Sequence, residues 1–395
     1  MRRIVLLVVL ACSSLCPEAV VGQARPPAGW PAAVQAFDEL IRIDSVVGGS
    51  LVLVQDGRIV TRHDAGFLDR ATRVPLAPQA IMHWGSITKT LTAVAILQLR
   101  DRGLLSLDDP ITRWVPELRQ VHNPFGSMDS ITLRMLLSHS SGFQNPTWPY
   151  REYVAWEPFE PTRWEQLVAM MPYQQILFRP GSRYGYSNPG YIYLARVIEA
   201  LTGDPWEAYI YKQLWVPLAM SSSYFGATPP YLAALRPNNY NLVKDSSEVE
   251  RLVDQGRDFD PGITIPNGGW NGPVQDLATW IGFLSGATGG DPVRAARFET
   301  ILRHQTLDEM WRPVVPVGSG GSESVGLGFF LLKAGGVTLV GHTGEQAGFR
   351  SFFYFNPRTR AAVIGAVTTT NEARPEDSGQ AFLAALQAGT RLLAP

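Results

Sequence analysis

The apolar positions change rhythm along the chain. Over 32–43 they recur with helical spacing, at Val34, Phe37, Leu40 and Ile41, and predict an amphipathic helix. The run 50–54 is short, apolar and rich in β-formers; Asp56-Gly57 and then Ile59-Val60-Thr61 follow it. An Asp-Gly between two such runs predicts a hairpin. The stretch 90–102 is mostly apolar up to Leu99 and stops at Gly103, the pattern of a buried helix with glycine past its end. From about 105 to 310 helical segments alternate with Pro- and Trp-rich loops, and 131–137 and 190–201 carry the clearest helical patterns. Prolines and aromatics without period over 144–164 predict a long surface loop. From Ser324 the rhythm turns to β, with runs at 325–332, 337–341, 349–355 and 361–369 and turn residues between them. A last helix is predicted over 377–392. Strands near both ends and helices between them predict an α+β fold: one antiparallel sheet flanked by terminal helices, plus a mostly helical subdomain.

Composition narrows the function. The chain has 395 residues, 45% hydrophobic and 17% charged, enough for a large core. Its 34 basic and 35 acidic residues leave a net charge of -1, with no basic excess to hold nucleic acid. Only four residues are lysines: Lys89, Lys212, Lys244 and Lys333. Met1-Arg2-Arg3, an apolar run over 4–11 and a small-residue site at Gly22-Gln23-Ala24 have the form of a signal peptide cleaved after Ala24. Export to the periplasm or the medium is expected. Both cysteines, Cys12 and Cys16, lie in this segment, so the mature chain has no thiol for catalysis or metal. Lipidation at Cys12 is the alternative, and it alone would bring the protein to a membrane. The expected organisation is a signal peptide over 1–24, a linker and helix over 25–44, and one domain over 45–392. Within that domain the sheet comes from about 45–65 and 324–370, and the helical subdomain covers about 105–310.

Three short motifs carry chemistry. In Gly85-Ser86-Ile87-Thr88-Lys89, Ser86 opens the buried helix and Lys89 follows one turn later on the same face. A lysine made neutral by burial can take the proton of a serine hydroxyl. The helix start favours a developing oxyanion. Chance yields roughly a quarter of a Ser-x-x-Lys match in a chain of this composition, and a surface lysine in a first turn fits equally. In Tyr184-Gly185-Tyr186-Ser187-Asn188, Tyr186 and Asn188 offer a phenol and an amide to a cleft, or simply pack under a turn. A phenolate near cations can act as a base. In Gly341-His342-Thr343-Gly344-Glu345, at the end of the strand 337–341, His342 and Thr343 offer polar groups and Gly344 allows close backbone approach. A satisfied polar residue at a strand end describes His342 as well.

Together the motifs resemble the serine β-lactamase and penicillin-binding-protein superfamily, in the branch near class C β-lactamases. Its ordered motifs Ser-x-x-Lys, Tyr-x-Asn and Lys/His-Thr-Gly stand here as Ser86-Ile87-Thr88-Lys89, Tyr186-Ser187-Asn188 and His342-Thr343-Gly344. The flanks Gly103-Leu104-Leu105-Ser106-Leu107-Asp108-Asp109-Pro110 and Ser138-His139-Ser140-Ser141-Gly142 look like the family too. The resemblance runs from about 45 to 392. It implies a β-lactamase/transpeptidase-like fold and a two-step acyl transfer. Ser86 would be the nucleophile, and Lys89 and Tyr186 would share the proton work. Asn188 would orient Lys89 and the substrate amide, and the backbone N–H groups of Ser86 and Glu345 would form the oxyanion hole. His139 would belong to a helix-capping turn. No metal or organic cofactor is implied.

Class C β-lactamases usually carry lysine where this chain has His342, so carboxylate attraction is expected to be weaker or pH-dependent. The leading expectation is an exported serine hydrolase acting on a small-molecule or peptide ester or amide, as a carboxylesterase, D-amino-acid peptidase or carboxypeptidase. The alternatives are a class C-like β-lactamase, a wall-peptide-cutting penicillin-binding protein, and a catalytically idle binding or assembly member. The aromatics Trp148, Tyr150, Tyr153, Trp156 and Phe159 either line the pocket mouth or pack the insert.

Overall fold

A computed structural model of the chain describes residues 26–143, 161–258, 261–346 and 348–394. The expected signal peptide, Cys12 and the five aromatics of 148–159 lie outside the described residues.

Helix α1, Trp30–Ile43, starts slightly ahead of the predicted span, with Pro31 in its first turn, where a missing N–H is harmless. It buries Trp30, Ala33, Phe37 and Leu40. The predicted hairpin follows as β1, Gly48–Gln55, and β2, Arg58–Gly66. Asp56 and Gly57 both sit at positive φ, as a tight turn between twisted strands requires. The buried helix is α2, Lys89–Asp101; it leads to α3, Pro189–Thr202, and α4, Val274–Leu284. The chain returns through β3, Val315–Pro316; β4, Glu323–Val325; β5, Phe330–Ala334; β6, Val337–Gln346; β7, Phe349–Phe355; and β8, Ala361–Val367. It ends in α5, Pro375–Arg391.

These strands form one antiparallel sheet in the order β2-β1-β8-β7-β6-β5-β4-β3. β1 and β8 join the two ends of the chain, from Gly49 opposite Val367 to Gln55 opposite Ala361. Alternation along the strands splits the core in two. Leu51, Leu53, Phe352, Tyr354 and Val363 pack with Phe37 of α1 and with Ala385 and Leu386 of α5. Val52, Val54, Phe353, Phe355 and Ile364 face the other way, into a cluster shared with α2, α3 and α4. The β-lactamase/transpeptidase-like α+β fold is therefore the one the sequence predicts.

The structure departs from the prediction in three places. The span 105–310 holds strands as well as helices: Asn239–Lys244 pairs with Glu250–Gly256, and Trp270–Pro273 lies between Ile81–His83 and Tyr224–Phe225. Glu250–Gly256 is almost wholly exposed, so no apolar rhythm marks it. In 131–137 only Leu133–Leu137 is helical, and Thr132 caps its start by accepting from Met135 N–H. β6 does not end at 341 but continues to Gln346, because β7 pairs with it as far as Gln346 opposite Phe349. The motif at 341–345 is thus inside a strand.

Phe37 is fully buried between α1 and the sheet. Truncating it removes a ring from a closed layer, so Phe37→Ala is expected to destabilise the fold by about 3–5 kcal/mol. Urea denaturation of the two proteins measures the loss.

Candidate functional site

Strand Ile81–His83 runs into a tight 3₁₀ turn, Gly85–Thr88, that continues directly into α2. Gly85 holds φ at +52°, and a Cβ there would stand 3.1 Å from Glu345 N. The turn is pinned from several sides. Thr88 Oγ1 donates to Gly85 O at 2.6 Å and accepts from Trp270 N–H at 3.0 Å. Ser351 Oγ donates to Trp84 O at 3.1 Å. Ser86 is left partly open to solvent, whereas Lys89 is fully buried. As the spacing predicts, the two meet: Lys89 Nζ lies 2.9 Å from Ser86 Oγ. Its other hydrogen bond, 2.8 Å, goes to the backbone carbonyl of Asn267. Lys89 has no carboxylate partner among the described residues. Burial holds its pKa well below that of an exposed lysine, toward a neutral amine.

Tyr186 reaches Ser86 from the opposite wall and hydrogen-bonds its hydroxyl. The loop that carries it is built on His139. Gly185 N–H donates to His139 O at 2.8 Å, and Ser187 N–H donates to His139 Nδ1 at 3.2 Å. His139 itself sits at φ +54° just past the short helix Leu133–Leu137, and its ring lies 4.4 Å from that of Tyr186. It is a buried scaffold, as the capping-turn expectation holds. Lys89 Nζ stands over the rings of Tyr186 and Tyr191, at 4.9 and 5.6 Å. Burial raises the Tyr186 pKa, a shift that favours the protonated phenol. Asn188 stands at the residue just ahead of α3, two residues beyond Tyr186.

The third wall is β6. β5 pairs with it only as far as Gly341, so His342 to Gln346 present an unpaired edge on that side. Gly344 is where backbone meets backbone: a Cβ there would fall 2.0 Å from Trp84 O. This contact brings the amide of Glu345 beside the Ser86 turn. Glu345 turns its side chain outward to Arg350, at 3.2 Å, and Thr343 is half-buried. His342 is buried against Phe330, with ring centroids 5.0 Å apart. Burial, and secondly the nearby Lys89, push its pKa down to about 3. Lys89, His139 and His342 feel one another's charge, so a proton on one opposes protons on the others.

Ser86, Lys89 and Tyr186 are thus in direct contact. Gly344 and Glu345 border the same turn, and Asn188, His342 and Thr343 flank it. The arrangement supplies a hydroxyl, an amine that burial shifts toward its neutral form, a phenol and a helix start around one opening. Sequence reasoning missed the Asn267 loop, because its contribution to Lys89 is a backbone carbonyl that any residue could supply. It also missed Ser351 and His83. Only Gly268-Gly269 marked that loop as a close backbone approach. Among the described residues no helix is long and apolar enough to cross a membrane.

Comparison with known proteins agrees with this architecture. The family model described as Beta-lactamase matches residues 33–388. "Protein flp" of Staphylococcus aureus (strain COL) is 23% identical over 353 residues, which is 87% of this chain but only 64% of that protein's length. "Esterase EstB" of Burkholderia gladioli is 29% identical over 283 residues, 66% of this chain and 70% of that one. Among solved structures, the octameric penicillin-binding protein homologue from Pyrococcus abyssi superposes with a TM-score of 0.71 at 28% identity, covering 90% of this chain and 77% of that one.

Burial of these groups also sets the pH response. His342 titrates near 3 and the buried His83 near 4 in the fold, against about 6.5 in an unfolded chain. Between about pH 4 and 6.5 the unfolded chain therefore binds more protons, and stability rises with pH. Each histidine adds up to about 1.4 kcal/mol per pH unit to that slope. Urea melts from pH 4.5 to 7.5 are expected to lose stability toward acid, and His342→Asn is expected to make the fall shallower by one such share. An unchanged slope would contradict a neutral, buried His342.

Proposed function

The chain belongs to the Beta-lactamase family, and from that premise we propose that it is a serine hydrolase forming an acyl-enzyme on an ester or amide. The observation that carries the reading is the fully buried Lys89, with no carboxylate partner among the described residues and Nζ 2.9 Å from Ser86 Oγ. An amine kept neutral at that distance accepts the hydroxyl proton as Oγ attacks the carbonyl carbon. The Ser86 and Glu345 amides stabilise the oxyanion, each by about 3 kcal/mol. The Tyr186 phenol, bonded to Ser86, passes a proton to the departing alcohol or amine. Lys89 then returns its proton to Tyr186; water attacks the acyl carbon, the neutral Lys89 amine accepts its proton and passes it to Ser86 Oγ as the acid leaves. Asn188 and Thr343 hold the substrate's amide or ester group.

The chemistry of His342 favours an ester or amide over a β-lactam. A ring that titrates near 3 carries no charge at neutral pH, so it offers no cation to a substrate carboxylate. The esterase named among the relatives fits the same reading. A slow, penicillin-acylated wall peptidase is the second reading, favoured by likeness to the Pyrococcus penicillin-binding protein homologue. We also propose export, with cleavage after Ala24; the N-terminal mass of the secreted protein tests it.

The deciding experiment is intact-protein mass after exposure to a fluorophosphonate and, separately, a fluorescent penicillin. The expected result is a fluorophosphonate adduct on Ser86, absent from Ser86→Ala, and labelling slowed by about 10³-fold in Lys89→Met. A persistent penicillin adduct would favour the wall peptidase, and rapid penicillin turnover a β-lactamase. No adduct with either probe on folded protein would overturn the hydrolase reading.

A further inference from the structure

His83 ends the strand Ile81–His83, just ahead of the Gly85 turn, and is only 3% exposed. It touches none of the groups assigned to the reaction. Its ring instead meets two segments that each carry one of them, and its own strand leads into the Ser86 turn. Nδ1 lies 2.9 Å from Asn271 Oδ1, and Asn271 Nδ2 in turn donates to Gly269 O at 3.3 Å. Nε2 lies 3.4 Å from the side-chain amide of Gln346, the last residue of β6 and the neighbour of Glu345. The Gly268 carbonyl also reaches the ring. Gly268 follows Asn267, whose own carbonyl holds Lys89. The packing around that point is close: a Cβ on Gly268 would stand 3.6 Å from Gln346 Oε1 and 3.9 Å from Gly85 C. Phe349, opposite Gln346 in the β6–β7 pair, covers the ring with centroids 4.4 Å apart.

We propose that His83 is a positioning residue, a clamp that fixes the Ser86 turn, the Glu345 end of β6 and the Asn267 loop relative to one another. Beyond Gly341 β6 is unpaired on the β5 side and held by the ladder only to β7, so a contact at its far end adds a second hold. Burial first, and Arg236 second, favour the uncharged ring. The Arg236 guanidinium, 5.5 Å over Phe349 and bonded to Ile81 O at 3.1 Å, is a fixed positive charge close by. In a neutral imidazole with Nδ1–H given to Asn271, Nε2 is an acceptor. A half-turn of the Gln346 amide gives that acceptor an N–H. The clamp then spans strand, turn and loop without adding charge beside Lys89. Its catalytic consequence rests on the serine-hydrolase reading; its mechanical consequence does not.

The test uses the full chain and two readouts. Hydrogen exchange is followed over 84–88 and 341–349, and turnover of p-nitrophenyl acetate is measured in parallel. His83→Phe keeps the ring stack and removes both nitrogens. It is expected to speed exchange in both stretches by about 10-fold or more. It should also lower kcat by about 10²-fold, as a misplacement near 1 Å does, with KM within about two-fold. Gln346→Ala, at a half-buried strand end, is expected to loosen 341–349 alone with a smaller loss of kcat. His83→Gln, which restores an amide donor and acceptor, is expected to recover part of both. Wild-type exchange in both stretches of folded His83→Phe, or in 341–349 of Gln346→Ala, overturns the clamp. So does loosened exchange with wild-type kcat. If the wild-type protein itself leaves Ser86 unacylated, the hydrolase reading fails, and the exchange data still decide for or against the clamp.

Discussion

Taking a lysine amine out of water without a carboxylate to meet it is the constraint around which this molecule is arranged. A buried ammonium would cost several kcal/mol, and burial accordingly shifts Lys89 toward the neutral amine. Lys89 is surrounded by groups that tolerate a neutral amine: a hydroxyl, a backbone carbonyl and two aromatic faces. The two buried histidines nearby are subject to the same limit. The result is a site rich in basic atoms and poor in positive charge, which suits proton transfer better than anion capture.

That arrangement depends on backbone contacts more than on side chains. Gly85 and Gly344 let the Ser86 turn and β6 approach to a distance no other residue allows. Thr88, Ser351 and Trp270 hold the turn through bonds that involve main-chain atoms. His139 supports the Tyr186 loop through its own carbonyl and one ring nitrogen. The reactive side chains are thus displayed on a frame whose precision comes from close packing of peptide groups.

Much of this was legible in the sequence, and the reasons divide cleanly. Ser86 and Lys89 could be paired because helical geometry converts a three-residue spacing into a shared face. The hairpin at Asp56-Gly57 and the apolar strands of β7 and β8 announced themselves by periodicity and turn chemistry. What stayed hidden involved contacts that leave no mark on residue type. The Asn267 carbonyl is one, and the polar half of β6, which is a strand only because β7 pairs with it, is another. The charge state of Tyr186 was also out of reach, since it is set by burial that no local pattern records.

The pairing of β1 with β8 has a consequence for how the molecule is made. β1 is an apolar strand whose second neighbour is synthesised only after everything between Gln55 and Ala361. Until then one edge of β1 stays open, and the cluster formed by α1, α5 and the sheet cannot close. The nascent protein is therefore without its finished sheet until β8 has been made. Such a chain is exposed to aggregation and calls for a holding chaperone.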